Sequence, residues 1–235
     1  KYVKPTDNFD RTKLPAAGAN PVVKVPAVWK KTLPNGIKMM GAAYNEIPVV
    51  SISVKIPGGH MAMATTPEKL GLPGMAASMF NEDTKNYTAE QMAVELQKLG
   101  SSISVFDELD GISFNVQSLK KNISATLALL EERMLRPNFT EQAFSRLQKQ
   151  AMEGFKQRKS QPAAIASEII DKLNFGANNI LGMSDNGTEQ TIKNLSLKDI
   201  ENYYSNYMTS RDAQVVIVGD VSQAEILPQL ASLNK

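Results

Sequence analysis

GLPGMAASMF at residues 71–80 is followed by NEDT at residues 81–84, and this stretch decides the fold of the chain. Its interior is small or apolar, which is typical of a helix packed against a sheet with little room. Just before it, Thr65 can cap a helix, Pro67 suits a first helical position, and Glu68 can complete a capping box with Thr65. The sequence therefore predicts a buried helix that begins near Pro67.

The composition of the 235-residue chain is that of an ordinary globular protein, with 42% hydrophobic and 21% charged residues. This length suits one large domain or two small ones. A net charge of +2 is too small to indicate a nucleic-acid or anionic-membrane partner. The absence of cysteine excludes disulfides and thiolate zinc sites. No apolar run approaches the roughly 20 residues that span a bilayer, so the sequence predicts no membrane span.

Residues 1–30 contain several prolines and alanines without apolar periodicity, which favours an extended arm or an interdomain linker. Five apolar residues can dock this arm onto a neighbouring surface: Val22, Val23, Val25, Val28 and Trp29. We interpret Trp29 as a packing anchor rather than a binding platform. Because the chain opens with Lys1 rather than methionine, we expect a piece of a longer polypeptide, whose compartment the sequence leaves open.

Residues 31–235 are predicted to form a single α+β domain. Alternating apolar residues and turn signals predict strands over 37–43 and 49–56, a hairpin over 103–116 with its turn at Asp110-Gly111, and a strand over 213–218. Capping boxes open three predicted helices, at Thr88-x-x-Gln91, Ser196-x-x-Asp199 and Ser222-x-x-Glu225.

Apolar stripes predict three further helices. The first places Ile123, Leu127, Leu130 and Met134 on one face, the second starts near Thr140, and the third runs from about Pro162 with Ile165, Ile169 and Leu173 inward. Hairpins followed by a block of helices predict an α+β fold, with helices packed on one face of a mainly antiparallel sheet.

Several of these features occur together in an order that resembles a known family. Leu33-Pro34-Asn35-Gly36 precedes a strand, a Pro-x-Val entry and a terminal glycine mark the next strand, and a Gly-Leu helix start follows at Gly71. This order resembles the insulinase/pitrilysin/mitochondrial processing peptidase family of zinc metallopeptidases, from about Leu33 to the C-terminus. The resemblance implies the α+β fold of the processing-peptidase-like metallohydrolases.

The helix of that family carries H-x-x-E-H, whose i and i+4 spacing places two zinc histidines on one face with a glutamate as general base. In this chain the histidines would fall on Gly74 and Ser78, and the glutamate on Ala77. The third ligand would fall near Gly154; Glu153 is adjacent, but one helical step turns a side chain by about 100°. We therefore assign no catalytic, cofactor-binding or metal-ligating residue to this chain.

Other candidate residues have simpler interpretations. His60 is the only histidine, and we expect an exposed loop residue rather than a substrate contact. For Glu82 and Asp83 we expect a solvated helix end rather than a metal or acid/base pair. A helical stripe of three tyrosines is interpreted as core rather than as a binding cluster: Tyr203, Tyr204 and Tyr207.

The resemblance implies a non-catalytic, degenerate domain of a two-half zinc metallopeptidase. Such a domain forms part of a chamber around an extended peptide, while an active partner half binds zinc and hydrolyses the peptide. This chain resembles the first subdomain of the inactive half, with residues 1–30 as the linker between halves. The alternative is a non-proteolytic scaffold subunit of the same fold. On family grounds alone, a periplasmic or exported bacterial protein is favoured.

Overall fold

The computed structural model describes residues 2–3, 10, 12–14, 18–20 and 25–234, with the side chain of residue 234 left out. Half of the predicted arm, including Val22 and Val23, therefore lies outside the described residues. Its last residues belong to a strand, because β1 spans Val28–Thr32. The boundary predicted after residue 30 thus falls inside this strand. The Trp29 ring packs so closely over Gly41 that a Cβ there would overlap it.

Within the described residues, six strands form one sheet in the order β1-β2-β6-β3-β5-β4. The other five strands are β2 (Lys38–Ala43), β3 (Val49–Pro57), β4 (Ser102–Asp107), β5 (Gly111–Leu119) and β6 (Gln214–Gly219). The β2–β6 pair is parallel and the other four neighbouring pairs are antiparallel. The prediction of a mainly antiparallel sheet is confirmed.

The helices are α1 (Leu72–Phe80), α2 (Ala89–Lys98), α3 (Ile123–Leu135), α4 (Glu141–Arg158), α5 (Pro162–Phe175), α6 (Glu189–Lys193), α7 (Leu197–Tyr207) and α8 (Gln223–Ile226). The predicted capping boxes at Thr88, Ser196 and Ser222 are all formed. Among the described residues, no helix is long and apolar enough to cross a membrane.

Helix α1 begins later than predicted. Thr65 makes no capping bond, and residues 60–65 and 67–69 form two 3-10 segments instead. Gly71 then adopts a left-handed backbone conformation with φ at +86°, and the α-helix starts only after it. A Cβ at Gly71 would also press against Ile192. Glycine is therefore required here both for its backbone freedom and for its lack of a side chain.

The hydrophobic core lies between one face of the sheet and the helices. Along β3, Val50, Ile52 and Val54 are buried, whereas the residues between them face the other, more open side. Such alternation is the pattern of a sheet with one covered face.

Phe80, at the end of α1, is the centre of an aromatic cluster in this core. Its side chain is only 1% exposed. Ring centroids lie 5.2 Å from Phe114, 5.6 Å from Phe139 and 5.9 Å from Tyr204. Most of these rings meet edge to face, which is the favoured aromatic geometry. The cluster joins α1 to β5 and α7.

Helix α5 contradicts the prediction that Ile165, Ile169 and Leu173 point inward. No residue of this 14-residue helix is buried, and Leu173 is 79% exposed. The amphipathic stripe exists, but the described chain supplies no layer to cover it. A sequence stripe indicates which face of a helix avoids water and does not indicate what covers that face.

Replacing Phe80 by alanine should destabilise the domain strongly, because it leaves a cavity among three aromatic rings. We expect the free energy of unfolding to fall by about 3–5 kcal/mol. Urea denaturation measures this change. Phe175→Ala is the matched control, since Phe175 is half-exposed on α5, and should change stability by no more than about 0.5 kcal/mol. Equal losses for the two variants would contradict the described core.

Candidate functional site

Helix α1 lies along the outer edge of β4, the last strand of the sheet. Most of α1 is buried, and its partly exposed face carries Gly74, Ser78 and, just past its end, Asn81. These positions are spaced as neighbours on one helical face. They face Val105 and Asp107 of β4. We call these five residues the α1–β4 groove.

Helix α1 carries the positions where the family resemblance placed the zinc-binding motif, and two of them, Gly74 and Ser78, belong to the groove. Ala77, the position of the general base, is 2% exposed and carries no proton-transfer group. The Ser78 hydroxyl donates a hydrogen bond of 2.9 Å to the carbonyl oxygen of Gly74. A Cβ on Gly74 would lie 3.4 Å from both carboxylate oxygens of Asp107. This is an ordinary van der Waals distance, so the Asp107 carboxylate lies directly beside the place of a side chain at position 74.

The side chains of the groove do not fit a zinc ion. Catalytic zinc takes three protein ligands, usually imidazole and carboxylate groups. A Cβ at Gly154, the expected third position, would project into open space, and the neighbouring Glu153 pairs with Lys156 at 2.8 Å. Among the described residues, no three histidine, cysteine, aspartate or glutamate side chains form a group that could hold a metal ion. We derive no metal-dependent step for this chain.

His60 is buried, so the prediction of an exposed loop histidine is wrong. Its side chain is only 3% exposed. Gly58 and Gly59 direct the chain inward, where the His60 amide donates to the Glu108 carbonyl at 3.3 Å. The imidazole Nε2 lies 2.7 Å from the Ile180 carbonyl oxygen, and its buried Nδ1 has no partner among the described residues. His60 thus fixes the 3-10 turn Ile180–Gly182, which packs against α5.

Burial raises the pKa of the Asp107 carboxyl, which also accepts a hydrogen bond from its own backbone amide. The negative charge of Asp185 adds to this increase, whereas His60 opposes it. Burial likewise raises the pKa of Tyr203, whose hydroxyl donates to the Gly58 carbonyl at 2.5 Å. Perturbed acids often mark functional sites, but Asp107 belongs to no group of three possible metal ligands among the residues that the structure describes. The arrangement supports binding or structure rather than catalysis.

The acidic residues after α1 have structural roles, so the prediction of a solvated helix end is wrong. Glu82 forms an ion pair with Arg146 of α4. Asp83 accepts a hydrogen bond of 2.7 Å from the amide of Ala89, at the start of α2. Both carboxylates therefore join α1 to other helices.

The tyrosines of α7 belong to the core, as predicted. Tyr203 is buried and stacks on Tyr207 with ring centroids 4.8 Å apart. Tyr204 packs against the core and donates a hydrogen bond to the Met134 carbonyl at 3.1 Å.

Three residues of this region were not singled out by sequence reasoning: Asn81, Asp107 and Arg133. Arg133 lies on α3 among buried apolar residues, and its guanidinium bonds to Asn81. In the sequence, the only sign of the Arg133–Asn81 contact is a charged residue within an apolar helical stripe. Asn81 and Asp107 gave no such signal.

A sequence profile of the insulinase family (peptidase family M16) matches residues 40–181. The chain belongs to this family. The resemblance inferred from Leu33 onward is thereby confirmed, and the match includes α1 and all of the groove. Gly74, Ala77 and Ser78 all lie within the residues that match the family.

Known relatives include both a non-peptidase protein and a processing-peptidase subunit. The non-peptidase homolog YmxG of Helicobacter pylori is 24% identical over 184 residues, covering 78% of this chain and 42% of that protein. The "Probable mitochondrial-processing peptidase subunit beta" of Arabidopsis thaliana is 20% identical over 240 residues, covering 98% of this chain and 44% of that protein.

Among solved structures, the peptidase M16 inactive domain from Pseudomonas fluorescens superposes with a TM-score of 0.81 at 19% identity. The match covers 88% of this chain and 50% of that chain. Because identity is low, this likeness shows the fold alone. The chain spans about half the length of the relatives that it matches.

Replacing Asp107 by asparagine should stabilise the domain at neutral pH. Because its pKa is raised, Asp107 binds a proton more tightly in the folded state than in the unfolded state. The free energy of unfolding therefore falls as the pH rises from the ordinary pKa of 3.8 through the raised pKa of the folded state. Asp107→Asn removes this fall. Urea denaturation at pH 3 and pH 7 should show a gain at pH 7 and little change at pH 3.

Asp110→Asn is the control for this experiment. A hydrogen bond from Lys55 lowers the pKa of Asp110, in the same hairpin, so its charged form is favoured in the folded state. This variant should lose stability at neutral pH rather than gain it. A loss for Asp107→Asn at pH 7 would instead show that favourable contacts hold the Asp107 carboxylate in its charged form.

Proposed function

We propose that this chain is a non-catalytic domain of a two-half zinc metallopeptidase. It forms part of the wall of a peptide-binding chamber, while a partner half binds zinc and hydrolyses the peptide. The observation that carries this proposal is the buried α1 frame with Gly74, Ala77 and Ser78 where the family motif has its ligands and base. The half-length match to a peptidase M16 inactive domain supports it.

Helix α5 supports the presence of a covering partner. Five of its apolar side chains are exposed: Ile165, Ile169, Ile170, Leu173 and Phe175. Several exposed apolar side chains on one helix are typical of an interaction site in soluble proteins. Since the matched relatives are about twice as long as this chain, the proposed occupant is the remaining α+β domain or half of the same assembly.

The scaffold alternative is a subunit of the same fold in an assembly without peptidase activity. Its support is the Helicobacter pylori relative, which is named a non-peptidase homolog. In that case α5 again contacts a partner, but the partner carries no zinc. The two proposals differ only in whether the partner binds zinc and cleaves peptides. They make the same statement about this chain.

Zinc content and peptide cleavage test the proposed function directly. The isolated chain, purified with zinc present, should bind less than about 0.1 zinc per chain and cleave no member of a fluorogenic peptide library, because the groove lacks ligands and a general base. Adding the half that carries H-x-x-E-H from the same or a neighbouring gene should give cleavage above that half alone. One zinc per isolated chain would refute the proposal, and an inactive mixture would favour the scaffold.

Replacing Leu173 by glutamate should prevent association with the partner half, because it places a charge at the most exposed apolar position of α5. The variant should fold normally, since Leu173 makes no buried contact. Ser167→Glu is the matched control, because its helical position points away from the stripe of Ile165, Ile169 and Leu173. Co-purification and analytical ultracentrifugation measure the association. Unchanged binding by Leu173→Glu would show that another surface meets the partner.

A further inference from the structure

The outer edge of β4 is the end of the sheet nearest to α1. An edge strand ordinarily presents unpaired N–H and C=O groups, which can pair with an extended peptide or another chain. In this chain a side chain forms hydrogen bonds with the backbone groups in the middle of β4. The backbone amide and carbonyl of Val105, a buried residue of β4, both bond to the Asn81 side chain.

Asn81 satisfies all the hydrogen-bonding capacity of its amide group in this position. Its Nδ2 donates to the Val105 carbonyl at 2.8 Å and to the Ala77 carbonyl at 3.0 Å. Its Oδ1 accepts from the Val105 amide at 3.3 Å and from Arg133 Nη1 at 3.0 Å. An asparagine amide offers two donors and an acceptor oxygen with two lone pairs, so this side chain is saturated.

Arg133 holds this arrangement from inside the domain. Its side chain is only 5% exposed, and Nη1 also donates to the Ile103 carbonyl at 2.9 Å. Burial lowers the pKa of this guanidinium, and its Nε has no hydrogen-bond partner among the described residues. The negative end of the α1 dipole and two oxygen acceptors compensate the charge. Moving Asn81 away would remove one of these acceptors from a buried cation, which is costly.

We propose that Asn81, held by Arg133, closes the β4 edge to strand addition. The Asn81 amide acts as a short substitute strand along the α1–β4 groove. A peptide pairing with Val105 would regain two main-chain hydrogen bonds, whereas displacing Asn81 breaks four. A consequence for peptide binding in the chamber rests on the proposed function. With this sheet edge closed, an extended peptide in the chamber pairs with the partner half instead.

The test uses this chain alone, with a fluorescein-labelled nonapeptide of alternating threonine and valine that has a lysine at each end. Wild type should not bind this peptide measurably. Asn81→Ala should bind it with at least about tenfold higher affinity, because the backbone groups of Val105 become available. Amide hydrogen exchange at Val105 should be slow in wild type, faster in Asn81→Ala, and slow again when the peptide binds.

Asn115→Ala is the control variant, because Asn115 lies on β5 inside the sheet and not at its edge. It should behave as wild type in both measurements. If Asn81→Ala fails to fold, Arg133→Met provides the second variant, since it keeps the aliphatic stem and removes one of the four hydrogen bonds that hold Asn81. It should change peptide affinity and Val105 exchange in the same direction.

The proposal is overturned if wild type binds the peptide and the peptide protects the Val105 amide. It is also overturned if a folded Asn81→Ala or Arg133→Met variant exposes the Val105 amide without any gain in peptide affinity. Neither measurement involves zinc or cleavage. The closed edge and the proposed peptidase partner are therefore tested independently, and either one can fail while the other stands.

Discussion

The close packing of α1 against the sheet is the constraint on which the rest of the structure depends. Ala76 and Ala77 are buried where α1 meets its neighbours, and the Gly74 backbone lies beside the Asp107 carboxylate. Larger side chains at these two alanines would force α1 away from its neighbours, and such overpacking destabilises a core. Phe80 then places one large ring at the end of this narrow helix, where the cluster with Phe114 and Tyr204 closes the core.

Much of the fold could be predicted because it depends on local chemistry. The capping boxes at Thr88, Ser196 and Ser222 each join residues three positions apart, and alternation along the strands identifies the covered face. The errors arise where distant residues decide the outcome. His60 is buried because residues 108–109 and 180 approach it. No residue of helix α5 is buried, because the turn Ile180–Gly182 that packs against it covers only a small part of its surface.

The contacts of the candidate site could not be predicted from the sequence. Comparing Gly74, Ala77 and Ser78 with the family motif predicts that the zinc ligands are missing, and this stays a prediction. The contacts that replace that chemistry are not local: Asn81 meets Val105 across 24 residues and Arg133 across 52. Neither pattern nor propensity brings these residues together, because their meeting depends on how α1, α3 and β4 pack.

The α1–β4 groove and helix α5 present two very different surfaces. In the groove, the Asp107 carboxylate lies beside Gly74, and Asn81 closes the backbone of Val105. The open apolar surface lies instead on α5, and the buried His60 steadies it through the turn Ile180–Gly182. A surface that is closed by saturated hydrogen bonds offers little to a ligand, whereas an uncovered apolar helix gains free energy when a partner buries it. The proposed association thus depends on α5, while the hydrogen bonds of the α1–β4 groove hold α1 against β4.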